Sequence, residues 1–256
     1  AGANTYTIDG NLLKVTPGLD NGVTGDAAME ESITMDLTAT TNEWPIHQVL
    51  AQLPEQYSRL KPAEVEADGV LQASATIKGQ YDENTMPLVD AKLLLKDGKG
   101  HYDLKTLPYQ FDGIKADLTA HVDLNDKAQT KAQINELTAR TGKTSVRLTG
   151  QVTDVLKAGN EIELGNPLCA LNMAMQVNLP DADYWIKDDS TYSHLEGTLK
   201  GNIALNSRLD DITNLDYSKI KLSGKMDIAN LNVIYQDSTK AQAGDLTLSF
   251  IAPCAK

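Results

Sequence analysis

The chain has 256 residues, 41% apolar but only 5% aromatic, and a formal net charge of −12. That length suits one large all-β domain or two ordinary ones, and the apolar fraction supplies a core and argues against global disorder. The acidity excludes a nucleic-acid surface, which needs clustered cations, and a polybasic attachment to an anionic bilayer.

Residues Tyr6 to Val15 open the chain as a strand, and the Gly/Pro/Asn/Asp-rich stretch 17–26 reads as loop. Ile33, Met35, Leu37 and Ala39 alternate as the next strand. The period then lengthens: Ile46, Leu50, Leu53, Tyr57 and Leu60 recur at helical spacing. Asn42 is the predicted N-cap, Pro45 falls early in the first turn, and Pro54 divides the segment. This predicts one or two short capping helices near 43–60.

A meander follows Pro62. Leu71, Ala73, Ala75 and Ile77 alternate with polar partners over Val70–Gly79, and Ala91, Leu93 and Leu95 do so over Val89–Lys96. Asp97-Gly98 reads as a hairpin turn into a strand over His101–Leu107 that Pro108 ends. Gly113 then starts the clearest strand of the chain. Ile114, Ala116, Leu118, Ala120, Val122 and Leu124 take one face, and Lys115, Asp117, Thr119, His121 and Asp123 the other. Asn125-Asp126 turns into Ala128–Ala139, and Thr141-Gly142 into Thr144–Val152.

In the second half, Leu171, Met173, Met175, Val177 and Leu179 alternate, then Leu199, Gly201, Ile203 and Leu205. Ile220 to Ile228 forms another long strand, predicted to bulge near Asn230 before Leu231, Val233 and Tyr235. Leu246, Leu248 and Phe250 close the chain. About a dozen strands with short connections predict an all-β fold of long, antiparallel, meandering strands. The curved sheet is expected as a groove or half-open barrel, or as a sandwich-like pair of layers. Residues 1–256 read as one elongated domain, or as two β-groove sub-units of about 1–156 and 157–256. Two internal echoes, Asp68-Gly69-Val70-Leu71 with Glu196-Gly197-Thr198-Leu199 and Leu148-Thr149-Gly150-Gln151-Val152 with Leu222-Ser223-Gly224-Lys225-Met226, fit a stacked-strand array.

Chemistry-bearing constellations are scarce. His47, His101, His121 and His194 lack metal-ligand spacing. His101 with Asp103, and His121 with Asp117, Thr119 and Asp123, read as wet strand faces. Asp181, Asp183, Asp188 and Asp189 lack the order of a calcium loop. Ser193-His194 has no acidic partner in sequence, and no phosphate loop or nucleophile elbow appears. No enzyme, metal or cofactor is therefore expected. For Cys169 and Cys254, one disulfide and two unpaired thiols are both open readings. Trp44, Tyr184 and Trp185 are expected to anchor segments onto the sheet or to rim an apolar mouth. No run approaches the ~20 apolar residues of a membrane span, and there is no signal-peptide core. A chain beginning at Ala1 rather than Met reads as a mature or excised piece.

From about Leu60 to Leu156 the chain resembles the AsmA-like proteins of Gram-negative bacteria, in particular their Bacteroidetes branch. The resemblance rests on Leu53-Pro54, Asp68-Gly69-Val70-Leu71, Ile77-Lys78-Gly79, Asp97-Gly98-Lys99-Gly100-His101-Tyr102, Leu107-Pro108, Gly113-Ile114 and Leu148-Thr149-Gly150-Gln151-Val152. It implies a periplasmic protein held at the inner membrane by an amino-terminal anchor that this chain lacks. It also implies a β-groove that carries phospholipid or another acyl-chain lipid in outer-membrane biogenesis. The aliphatic positions that would line such a groove are Leu71, Ala73 and Ile77, Leu93 and Leu95, and Ile114, Leu118 and Val122. Further along they are Ile134, Leu148, Met173, Met175, Ile203, Leu222 and Met226. The competing expectation is that two such faces pack together as a sandwich core about 10 Å thick, leaving a structural module that binds protein or glycan by its edges.

Overall fold

The computed structural model describes residues 5–15, 32–52, 65–82, 84–104, 107–157, 163–182 and 192–252. Long runs of β-branched and aliphatic residues alternating with polar ones give strands of up to 17 residues. In chain order they are β1 (Tyr6–Val15), β2 (Ser32–Thr41), β3 (Trp44–Pro45), β4 (Val65–Tyr81), β5 (Leu88–Leu104), β6 (Leu107–Val122) and β7 (Lys131–Thr141). There follow β8 (Thr144–Thr153), β9 (Leu168–Asn178), β10 (Tyr192–Arg208), β11 (Leu222–Tyr235), β12 (Lys240–Gln242) and β13 (Leu246–Ala252). The helices α1 (Ile46–Gln52) and α2 (Leu209–Thr213) are short.

All thirteen strands belong to one antiparallel sheet in the order β1-β2-β4-β5-β6-β7-β8-β9-β10-β11, with β3 beside β4 and both β12 and β13 on β11. The meander passes directly from β8 to β9 by the pairing Ser145–Gln176 to Thr153–Leu168, so the ladder is unbroken across position 156. No second sheet lies over it among the described residues, and the sandwich expectation is replaced by a single open layer. Burial reflects this. Ala116 and Cys169, each 8% exposed, are the most enclosed apolar residues described, and among the described residues no side chain is fully buried.

Several sequence-based boundaries move. Asp97-Gly98 is no hairpin: β5 runs straight through it to Leu104, and β6 already includes Pro108 and Gly113. Asp97 takes φ 50° and the ladder to β6 shifts register around Gly98, so the pair forms a bulge. A Cβ on Gly98 would sit 2.8 Å from the Ile114 Cβ and carbonyl oxygen, and close strand approach is the reason for glycine there. Residues 127–129 form a 3-10 turn before β7. Asn42 is not the helix cap, because β3 intervenes and α1 begins at Ile46. Its side-chain oxygen instead accepts the Thr5 N–H at 3.0 Å. The expected loop 17–26, the helical positions beyond Gln52, and Tyr184, Trp185 and Cys254 fall outside the described residues.

The predicted bulge near Asn230 is present, with Asn230 at φ 55° opposite a register shift between Glu196 and Thr198. The first internal echo has a common geometry. Gly69 and Gly197 both adopt left-handed φ values, 131° and 120°, each inside a register shift. A strand takes such a residue only where it bends, and glycine is the residue that tolerates it.

Candidate functional site: an uncovered aliphatic face

Residues directly opposite in an antiparallel ladder share a face, so the register defines what the sheet presents. One cross-strand row runs Ala39–Ala75–Ala91–Ala120–Ala132, from β2 through β4, β5 and β6 to β7. It is flanked by Ile8 on β1 and by Val152 and Cys169 on β8 and β9. On one side of this alanine row stand Leu37, Ile77, Val89 and Val122. On the other stand Ala73, Leu93, Leu118 and Ile134. Large side chains on both flanks and methyl groups between them make a furrow that crosses the strands.

The furrow is the floor of a hollow of about 630 Å³ to which β1, β2, β4, β5, β6, β7 and β8 all contribute. Six strand spacings of ~4.8 Å would hold β1 and β8 roughly 29 Å apart on a flat sheet. Both border one hollow, from Tyr6 and Ile8 to Val152, so this half of the sheet curls toward its aliphatic side. Trp44 pins the curl by donating its Nε1 hydrogen to the Thr5 carbonyl, 2.9 Å away.

All fifteen candidate groove positions lie on this face. Leu71, Leu95, Leu148, Met173 and Ile203 fall in one further row together with Ala116 and Leu137. Leu222 continues the Leu118–Ile134 row, Met175 and Met226 flank Gly201, and Ile114 faces Gly98. The hollow itself brings together only Ala73, Leu93, Leu118 and Ile134 of the fifteen. The second-half positions share the face outside it. Sequence reasoning favoured bulky residues and passed over the alanines of the floor, together with Tyr6 and Ile8. The missing signal was cross-strand register, which shows that alanines from five strands coincide.

The opposite face is wet and internally paired. Lys78 meets Asp36 at 3.5 Å, Lys92 meets Asp117 at 3.6 Å, and Arg147 Nε donates to Glu136 at 3.0 Å. His121 Nδ1 lies 2.7 Å from Asp90, and His194 lies 3.7 Å from Glu196. His101 is opposite Glu66 and Gln110 in the ladder, while His47 and Asp68 approach only to 4.0 Å. Ser193 donates to the Ile234 carbonyl of the paired strand, at the register shift between Tyr192 and His194. Among the described residues no three His, Cys, Asp or Glu are placed to hold a metal.

Asp181 has a structural task. Its carboxylate accepts from the Thr144 hydroxyl at 2.8 Å, the Asn178 amide at 2.9 Å and the Lys143 N–H at 3.0 Å, tying the end of β9 to the β7–β8 turn. Partial burial opposes its charge, but these hydrogen bonds outweigh it and hold the carboxyl below its ordinary value. Cys169 is a free thiol whose pKa is raised by burial, the environment of an inert cysteine. No helix described is long and apolar enough to cross a membrane.

Comparison with protein-family models, with curated proteins and with solved structures returned no match.

Proposed function

We propose that this chain is a non-enzymatic, AsmA-like lipid-handling protein whose curled aliphatic face receives an acyl chain during outer-membrane biogenesis. The observation that carries the reading is the alanine furrow: a trough of five methyl groups, walled by larger aliphatics, that no second layer covers among the described residues. Hydrocarbon needs a dehydrated, shape-tolerant surface without hydrogen-bond demands, and each buried methylene contributes about 0.8 kcal/mol. The alanine row spans four strand spacings, roughly 19 Å. That is comparable to one leaflet, half of the ~30 Å hydrocarbon thickness of a bilayer. Met173, Met175 and Met226 extend the same face with adaptable side chains. The resemblance read from the sequence adds the periplasm and an inner-membrane anchor to this proposal.

The test is mass spectrometry of an organic extract of the protein purified from cells. Phospholipid in stoichiometric amount is expected, and Leu118→Asp or Ala120→Phe should reduce it at least tenfold with the fold intact by circular dichroism. An extract that is repeatedly free of lipid, or lipid content indifferent to both substitutions, contradicts the proposal.

A further inference from the structure

Among the described residues, the large apolar side chains exposed on connections between strands all lie at one end of the sheet. The β8–β9 and β10–β11 connections meet at that end. They carry Leu164, Leu209, Leu215 and Tyr217, which are between 41% and 75% exposed. Exposed Met86 lies there too, on the β4–β5 connection. At the opposite end, residues 42–49, 142–143, 179–182 and 236–239 expose none.

The two connections are stitched to one another and form a fixed rim. Leu209 donates its N–H to the Pro167 carbonyl at 2.9 Å, and Asp210 donates its own to the Asn166 side chain at 3.0 Å. Arg208 donates to the Asn166 carbonyl at 2.8 Å. The N–H groups of Asn214, Leu215 and Asp216 turn back onto carbonyls of α2, so the tip that holds out Leu215 and Tyr217 has a defined shape. Charge on the rim is neutralised locally, in a chain of net charge −12. Arg208 pairs with Asp154 at 2.5 Å, Lys157 with Glu163 at 2.6 Å and Lys219 with Asp216 at 2.8 Å.

We propose that this rim seats on the surface of a zwitterionic lipid bilayer, with Leu164, Leu215 and Tyr217 entering its interface. Separate apolar tips suit a fluid partner that asks for no matching shape, and tyrosine favours the boundary between hydrocarbon and headgroups. Cations already paired with carboxylates suit neutral headgroups and supply little attraction for an anionic surface. The rim also adjoins the aliphatic trough. The alanine row continues through Val152 and Cys169 to Ser207, which stands just before Leu209 and α2. The proposal deepens the acyl-chain reading and rests on it for preferring a bilayer to a protein partner.

The experiment is flotation of the full chain with dioleoylphosphatidylcholine vesicles. The protein should float with them equally in low and high salt. Leu164→Ser/Leu215→Ser/Tyr217→Ser should lower the bound fraction at least tenfold. Tyr217→Trp should bind like the parent, and the fluorescence it adds should be quenched by brominated phosphatidylcholine. Lys143→Trp, at the opposite end, should add fluorescence that the bromines leave alone. A parent that does not float overturns the proposal, and so does flotation undiminished in the triple variant. Binding confined to vesicles containing phosphatidylglycerol, or equal quenching at positions 143 and 217, overturns it as well. Leu118→Asp should lose its phospholipid and still float, so failure of the trough and failure of the rim are read separately. A Leu118→Asp protein that no longer floats would put the membrane contact on the aliphatic face and overturn the rim.

Discussion

At the scale of single residues, Asp181 shows how a strand-end carboxylate is held by several donors at once. The acidic cluster it belongs to lacks the order of a calcium loop in the sequence, and its described member Asp181 ties down a turn. Because the folded-state pKa lies below the ordinary 3.8, the associated stability is present above that value. It is lost as the pH falls through the lowered folded value. Asp181→Asn should therefore destabilise the protein near neutrality by about 1 kcal/mol. The gap to the parent should close on acidification below pH 3.8. Urea unfolding at several pH values measures this, and a gap that stays constant into acid would show that the charge is not what matters. The alanines of the furrow teach a different lesson. Each alone reads as strand filler, and only the coincidence of five strands makes them the floor of a furrow.

Among the elements, alternation of apolar and polar residues was the reliable signal. β1, β8 and β13 lie where their patterns place them, because successive side chains of a strand point to opposite faces and the sequence keeps that period of two. The turn signals inside strands were the unreliable part. Asp97-Gly98 has the composition of a hairpin, but its neighbours continue to pair on both sides, so the ladder absorbs it as a bulge. Asp68-Gly69 is absorbed in the same way on the adjacent strand, facing it: a Cβ on Gly69 would lie 2.9 Å from the Gly98 Cα. Local sequence cannot separate a bulge from a turn, since both call for the same left-handed residues. Gly98→Val should cost about 1–3 kcal/mol through the forced clash with Ile114. A lowered urea midpoint with an unchanged slope is the expected observation, and a midpoint equal to the parent's would refute the close-approach explanation.

For the molecule as a whole, all-β class and long antiparallel strands were legible in the sequence, but the layer count was not. Alternation specifies that one face is apolar and is silent on whether a second sheet covers it. The single sheet leaves Leu137, Val146 and Leu248 between 36% and 43% exposed on that face, where a two-layer domain would enclose them. Contiguous exposed apolar surface is where soluble proteins meet ligands, membranes or other chains, and the proposed occupant here is an acyl chain. Site-specific photo-crosslinking in cells tests the claim most directly, with the photoreactive residue at Ala120 on the furrow floor or at its chain neighbour Thr119 on the opposite face. Crosslinks to phospholipid from position 120 and none from position 119 are predicted. Lipid adducts that are absent from both positions, or equally abundant at both, would contradict an acyl-chain furrow on the aliphatic side.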